Sequence, residues 1–559
     1  MNKKLLIFTF ILTGLLFQSC EQFLVEELKT NVTANNYYVT ASGYEDGVKA
    51  MYWTLDRYWG SEMGMTMAEL GTDYHTNGAD GSHKGFNVYD SRLSPTGDSY
   101  SRDLWNEMYR AINQCNAIVG RAADVADMSQ DLKDQRVAEA RFLRGLYYFT
   151  LAQTYGNIHL SLEETKGIET TANQHPAEDI YNDAIIPDLE AAASVLPTSQ
   201  SDYGRPTKQA AEFLLAKAVL TRGWLTNSTA DFSRAQTLME GVINNYGHEL
   251  LPVWGDLWKQ DNQVNSEVIW SVQNTTDLLI NASLGSSGNR FHLYFLMEYD
   301  KLPGMTRDTD NGRPWKRARP TPWAETLYND DPATQQALGT RADVRYQQGY
   351  KHVWYANNPG TFKVNDAAGE RDIVIAGIGD TALFLPHIEV PNEKRLNSQY
   401  RIYAPSEYTE IVFPSLNKFI DPIRDNRQRE EGSRDFIMAR LADAYLIAAE
   451  AALKAGNQSK AAEYVNVVRA RAARPGREAD MVVAEADVNL DYILDERARE
   501  LSGEMHRWYD LTRTGKLIER VTKYNAQAAP NIKPHHVLRP IPQTHIDAVN
   551  GEYTQNDGY

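Results

Sequence analysis

The feature that most constrains this chain is the spacing of small and large apolar residues between Arg440 and Ala473. Tyr445, Ala448, Ala449 and Ala452 recur at helical intervals and so share one helix face. Gly456-Asn457 interrupts that helix, and Ala461, Val465 and Val468 resume the same period. Alanine at the contact positions lets two antiparallel helices approach closely, so the stretch predicts a helix pair.

These offsets match the tetratricopeptide pattern. A second unit is legible upstream: Gly145 and Tyr148 lie in a helix spanning Ala138 to Tyr155, and Ile185, Leu189, Ala192 and Pro197 fit its partner. A third, more degenerate unit runs from Gln209 to Tyr246, with Ala235, Met239 and Val242 on one face. The units are scattered, which argues against a plain solenoid. Between Val253 and Asn397 the helical period fades into a stretch rich in Gly, Pro, Asn and Asp, far too long for a simple loop. It predicts an irregular subdomain with a few short strands, such as Glu267–Gln273 and Asp372–Ala376. Residues 60–100 form a shorter excursion before a helix around Trp105–Gly120. Near the end, Leu494, Ala498, Leu501, Met505 and Trp508 alternate spacings of four and three and predict one apolar stripe. Glu496, Glu500 and Glu504 fall on another face and repel unless Arg497, Arg507 or a neighbouring helix neutralises them. The fold class expected is therefore mainly α, with tetratricopeptide-like helix pairs supporting an irregular, loop-rich subdomain with few short strands.

The N-terminus predicts export. Lys3 and Lys4 precede an apolar segment, Leu5 to Phe17, too short to span a bilayer core of about 30 Å but suited to a signal peptide. Cys20 follows directly and reads as the lipidated first residue of a mature lipoprotein. Cys115 is the only other cysteine, so no internal disulfide is expected. A chain of 559 residues, 42% of them hydrophobic, can build its core without one. The net charge is −17, and no run of Lys and Arg is seen to interrupt it. Nucleic acid is accordingly a poor partner, because its binding needs clustered cations.

No catalytic or cofactor constellation holds. Gly377-Ile-Gly379 imitates a dinucleotide loop, but Leu383-Phe-Leu-Pro386 does not open the helix that a phosphate needs. Asp308-Thr-Asp310-Asn-Gly312 imitates a calcium loop with its glycine one place early. His535-His536 lacks a neighbouring ligand set and reads as an exposed loop. Neither a metal nor another cofactor is expected. The aromatic residues in irregular segments, by contrast, suit sugar binding, since a sugar ring offers an apolar CH face to Trp or Tyr. Trp315, Trp323, Trp354 and Tyr355, set among Pro, Gly and Asn, are the candidates.

Several blocks resemble the SusD/RagB family. They are Ala138-Glu-Ala-Arg-Phe-Leu-Arg144, Leu416-Asn-Lys-Phe-Ile-Asp421, Arg440-Leu-Ala-Asp-Ala-Tyr-Leu-Ile-Ala-Ala-Glu-Ala-Ala452 and the long block from Asp495 to Arg513. The ending, Arg539-Pro-Ile-Pro-Gln543 with Gln555-Asn-Asp-Gly-Tyr559, resembles the family's closing motif. Met505, His506 and Asp557 depart mildly from the usual pattern. The resemblance implies a surface lipoprotein of the outer membrane that binds a glycan or oligosaccharide and partners a TonB-dependent outer-membrane transporter. It adds Tyr74, His75 and Asn77, whose position is similar to a segment of the family's ligand face. It also implies a division into a signal peptide (1–19), an N-terminal region (20–252), a ligand-face subdomain (253–400) and a C-terminal helical region (401–559). A peptide-binding relative of the same architecture, a surface glycoside hydrolase and a structural adaptor are the alternatives.

Overall fold

The structure, a computed structural model, describes residues 37–281, 289–331 and 334–559. The signal segment and Cys20 lie outside the described residues. The principal helices are α1 (Ala41–Tyr52), α2 (Glu62–Glu69), α3 (Ser99–Arg121), α4 (Gln130–Tyr155), α5 (Ile186–Val195), α6 (Lys208–Thr226) and α7 (Thr229–Asn245). After the irregular stretch come α8 (Leu441–Lys454), α9 (Gln458–Arg471), α10 (Leu490–Leu501), α11 (Arg507–Arg513) and α12 (Leu517–Tyr524). Polar residues start many of them: the side chains of Thr40, Asp98, Ser129, Ser228, Asn457 and Asn489 each accept a bond from a first-turn backbone N–H.

From α3 to α9 each helix packs on the next, and α10 returns onto α8. The scattered units thus form one continuous row, because α7 packs on α8 although the whole irregular stretch separates them in sequence. Two glycines permit it. A Cβ on Gly145 would lie 3.0 Å from the Leu189 side chain, so α4 and α5 meet there at backbone distance. Gly456, at φ +87°, makes the left-handed turn between α8 and α9.

The strands that frame the irregular stretch are β1 (His75–Asn77), β2 (Val268–Val272), β3 (Ala318–Pro320), β4 (Val353–Tyr355), β5 (Gly360–Asp366), β6 (Gly369–Ile375), β7 (Thr381–Phe384), β8 (Arg401–Ile402) and β9 (Phe436–Arg440). The two expected strands are present as β2 and β6. β1 pairs with β3, β2 with β9 and β5 with β6, all antiparallel, while β7 lies between β4 and a parallel β8. The stretch 253–400 is shared between two cores. Met297, Tyr299, Trp354, Ile373, Leu383 and Phe413 close a small core of their own. Ile269, Trp270, Phe291, Phe295 and Tyr346 belong to the main core of the helical row.

One C-terminal expectation is corrected and a second is met in part. The apolar stripe is buried throughout, but it is not one helix. α10 stops at Leu501, Gly503 and Met505 both take positive φ, and α11 starts at Arg507. The Met505 amide donates to the Glu69 carboxylate at 2.8 Å, which helps to hold this turn. Glu496 and Glu500 are neutralised in part from a neighbouring helix, as expected, by Arg469 at 3.0 Å and Arg471 at 2.5 Å on α9, but not by Arg497 or Arg507. Arg497 turns to Asp443 and Asp510, and Arg507 to Asp73. Arg345 reaches Glu496 at 2.8 Å and Glu500 at 2.9 Å. Arg440 bridges Glu500 and Glu504, both at 2.7 Å, and Glu267 at 3.1 Å. Arg471 joins Glu267 at 2.7 Å, and Lys418 joins Glu504 at 2.8 Å. All of these carboxylates are buried.

Burial alone would raise these carboxyl pKa values, but the surrounding guanidinium groups outweigh it. Glu500 and Glu504 are held below the ordinary glutamate range, and Glu496 falls to about 2. Depressed carboxylates contribute stability that is complete above the unfolded glutamate value of about 4.3 and is lost as pH falls through the folded values. The urea midpoint should therefore drop between neutral pH and pH ~3, and an unchanged midpoint would remove this electrostatic account. Trp508, buried under the Arg539 guanidinium at 4.2 Å, should cost about 3–5 kcal/mol when replaced by Ala. A loss below about 1 kcal/mol would mean that its face is not core.

Candidate functional site

Two open clefts stand out among the described residues. One, of about 410 Å³, lies where the irregular stretch meets the excursion after α2, and Trp315 lines it. Its floor is the segment 314–317, threaded between two others by backbone bonds. Trp315, Lys316 and Arg317 donate to the carbonyls of Leu293, Leu296 and Tyr294 at 3.3, 3.0 and 3.0 Å. Gly78 and Asp80 donate back to Arg317 and Lys316 at 2.9 and 3.1 Å. The β1–β3 ladder continues this floor, with Asn77 opposite Ala318. Lys316 sits at φ +48° and directs its ammonium to Glu298 at 2.7 Å. The Arg317 guanidinium lies 4.7 Å from the Trp315 ring centre and contacts Glu62 at 2.8 Å and Asp80 at 3.1 Å. Across the cleft Glu430 takes Arg313 and, at 3.4 Å, Arg290. Trp315 itself is 7% exposed, so its ring is almost wholly covered and is not the open platform expected.

The second cleft, of about 380 Å³, runs between α1 and β2, with Trp53, Tyr203 and Arg205 on its walls. The Arg57 guanidinium stacks 4.0 Å from the Trp53 ring, and Tyr203 is exposed.

Most residues proposed from sequence are placed elsewhere than expected. Tyr74, His75 and Asn77 are buried. The Tyr74 hydroxyl bonds Tyr328 at 2.6 Å and Tyr350 at 3.0 Å, and the His75 ring bonds Glu69 at 2.8 Å. The preceding Asp73 is clamped by Arg507 and Arg520, each at 2.6 Å, which draws this whole segment into the interior. Trp354 is fully buried, stacked on Tyr299 at 4.7 Å with the Lys351 ammonium 4.4 Å from its ring. Trp323 is half-buried and stacked on Tyr524 at 4.6 Å. Only Tyr355, on the outer side of β4, is widely exposed. His535-His536 is likewise corrected: His536 is buried between Tyr89 and the C-terminal Tyr559 rather than in an exposed loop.

The charged walls of the Trp315 cleft were missed, although a signal for them existed. Arg313-Pro-Trp-Lys-Arg-Ala-Arg319 carries four cations in seven residues, so the acidic chain does contain a basic run.

Comparison with known proteins decides the family. The model described as "SusD family" matches residues 266–559, more than half of the chain. The chain belongs to the SusD family. A second model, "Starch-binding associating with outer membrane", matches residues 32–220. SusD-like protein P25 of Formosa agariphila is 26% identical over 558 residues, covering 94% of this chain and 93% of that protein. Starch-binding protein SusD of Bacteroides thetaiotaomicron is 25% identical over 466 residues, covering 80% and 76%. A solved SusD homolog from Bacteroides thetaiotaomicron superposes with a TM-score of 0.72 at 20% identity, covering 96% of this chain and all of the other. A laminarin binding SusD-like protein superposes with a TM-score of 0.63 at 22% identity, covering 93% of this chain. The SusD fold is thus shared along nearly the whole chain.

For this SusD-family chain the placement of the aromatics is directly testable. Trp354→Ala should cost about 3–5 kcal/mol in urea unfolding, whereas Tyr355→Ala should stay within about 0.5 kcal/mol. Equal effects would contradict the inner and outer sides assigned to β4.

Proposed function

We propose that this protein captures a glycan at the cell surface, without catalysis, and passes it to a TonB-dependent outer-membrane transporter. Family membership supports the architecture, and relatives named for starch and laminarin binding support the ligand class. The observation that carries the reading is the Trp315 cleft, an open polar groove lined by hydrogen-bonding side chains. A glycosidase acid needs a raised pKa. Here burial would raise the Glu298 carboxyl, but bonds from Lys316 and Lys301 hold it below the ordinary range, so it is a fixed acceptor. Glu430 is ion-paired with two guanidinium groups, those of Arg313 and Arg290.

Soluble protein lacking residues 1–20 should bind at least one oligosaccharide in calorimetry and release no reducing ends from it. Turnover of the bound sugar would favour the hydrolase alternative, and preference for peptides over every sugar would favour the peptide-binding one. The anchor is tested separately. Cys20→Ala should abolish acyl labelling and free the protein from the membrane fraction, since an acyl chain contributes about 0.8 kcal/mol per buried CH₂. Persistent labelling would exclude Cys20 as the anchor.

A further inference from the structure

We infer that the Trp315 cleft selects acidic glycans, bearing uronate carboxylates or sulfate esters, over neutral ones. The inference rests on the glycan-capture reading and names the class of sugar. The chain as a whole carries −17, yet six cations and four carboxylates line this cleft. Asp300 and Glu431 pair with Arg307 and Arg290 from outside the lining and bring the local sum to zero, so selectivity lies in which charges face the opening.

The pairing and the exposures show which cations face the opening. Glu298 is shared by Lys316 at 2.7 Å and Lys301 at 3.1 Å, so one carboxylate serves two ammonium groups. Glu430 is likewise shared by Arg313 and Arg290, although Arg290 also lies 3.5 Å from Glu431 behind the wall. Arg307 is anchored at 2.7 Å by Asp300, whose side chain is 7% exposed against 26% for the arginine. That carboxylate faces inward and its cation outward. The Lys301 side chain, 70% exposed, points furthest into solvent. Asp80 is the one well-exposed carboxylate of the lining, and Arg317 sits 3.1 Å from it.

Range decides which charges a ligand feels. At physiological ionic strength screening acts over about 8 Å, so the distant acidic surface is damped while cations in contact are not. A concave site focuses what remains. Charge-assisted bonds to a carboxylate or sulfate are roughly twice as strong as those to a hydroxyl. The cleft therefore discriminates by charge even though every cation in it already has a protein partner.

The test uses the soluble protein lacking residues 1–20 with four probes: an oligogalacturonate, a sulfated galactan oligosaccharide, a neutral laminari-oligosaccharide and a polyglutamate peptide. One or both acidic sugars should bind about tenfold or more tighter than the neutral one, with affinity falling as salt rises. Comparing the two acidic sugars distinguishes carboxylate from sulfate. Lys301→Gln should weaken the acidic sugar several-fold with unchanged melting, because its exposed side chain supports no core. Equal or tighter binding of the neutral sugar, or no effect of Lys301→Gln, overturns charge selection while leaving glycan capture standing. Tightest binding of the peptide, or binding of no sugar, overturns both.

Discussion

The fold depends on a buried charge cluster. Glu267, Arg345 and Lys418 come from the irregular stretch and its continuation, Arg440, Arg471, Glu496 and Glu500 from the C-terminal helices and the strand leading into them, and Glu504 from the turn between α10 and α11. Desolvating this many ions is costly and is offset only by near-complete pairing. Glu500 shows how full that pairing is: one of its oxygens accepts from Arg440 at 2.7 Å, from Arg471 at 2.5 Å and from the Trp254 indole at 3.1 Å. A misplaced segment would leave a buried ion unpaired, so the cluster selects one arrangement of the irregular chain on the helical row.

The candidate site follows from that arrangement. β9 ends at Arg440 inside the cluster and pairs with β2, which begins beside Glu267. Arg345 and Lys418 fix two further points of the irregular stretch. The segments 290–298 and 313–317 run between these points and meet the excursion after α2, itself tied by Asp73 to Arg507 and Arg520. The cleft is therefore built mainly on loops whose ends are held by ion pairs, with Glu62 of α2 and the β1–β3 ladder beside them, which preorganises the site.

The helical row was legible in sequence because its determinants are local. Small residues at helical spacing, Asn457 as a cap and Gly456 as a turn act over a few residues. The row of Glu496, Glu500 and Glu504 was also legible, but Arg345 and Arg440 lie far away in sequence, and no local rule connects them. The same limit explains the aromatics. Tyr74 and Trp354 stand among loop-forming residues, yet Tyr328, Tyr350 and Tyr299 arrive from elsewhere to enclose them. The apolar stripe kept its spacing of four and three across Gly503, so periodicity ran on through a turn. Charge density was the readable signal for the cleft, concentrated between Arg313 and Arg319.

Hydrogen exchange on Glu500→Gln tests the central role of the cluster most directly. Removing one carboxylate leaves Arg345, Arg440 and Arg471 undercompensated, a loss of about 3–5 kcal/mol for a buried pair. Exchange should accelerate together in residues 266–272, residues 341–352 and helices α8 and α10, because the cluster joins them into one cooperative unit. Acceleration confined to α10, with the irregular stretch as protected as before, would contradict the account.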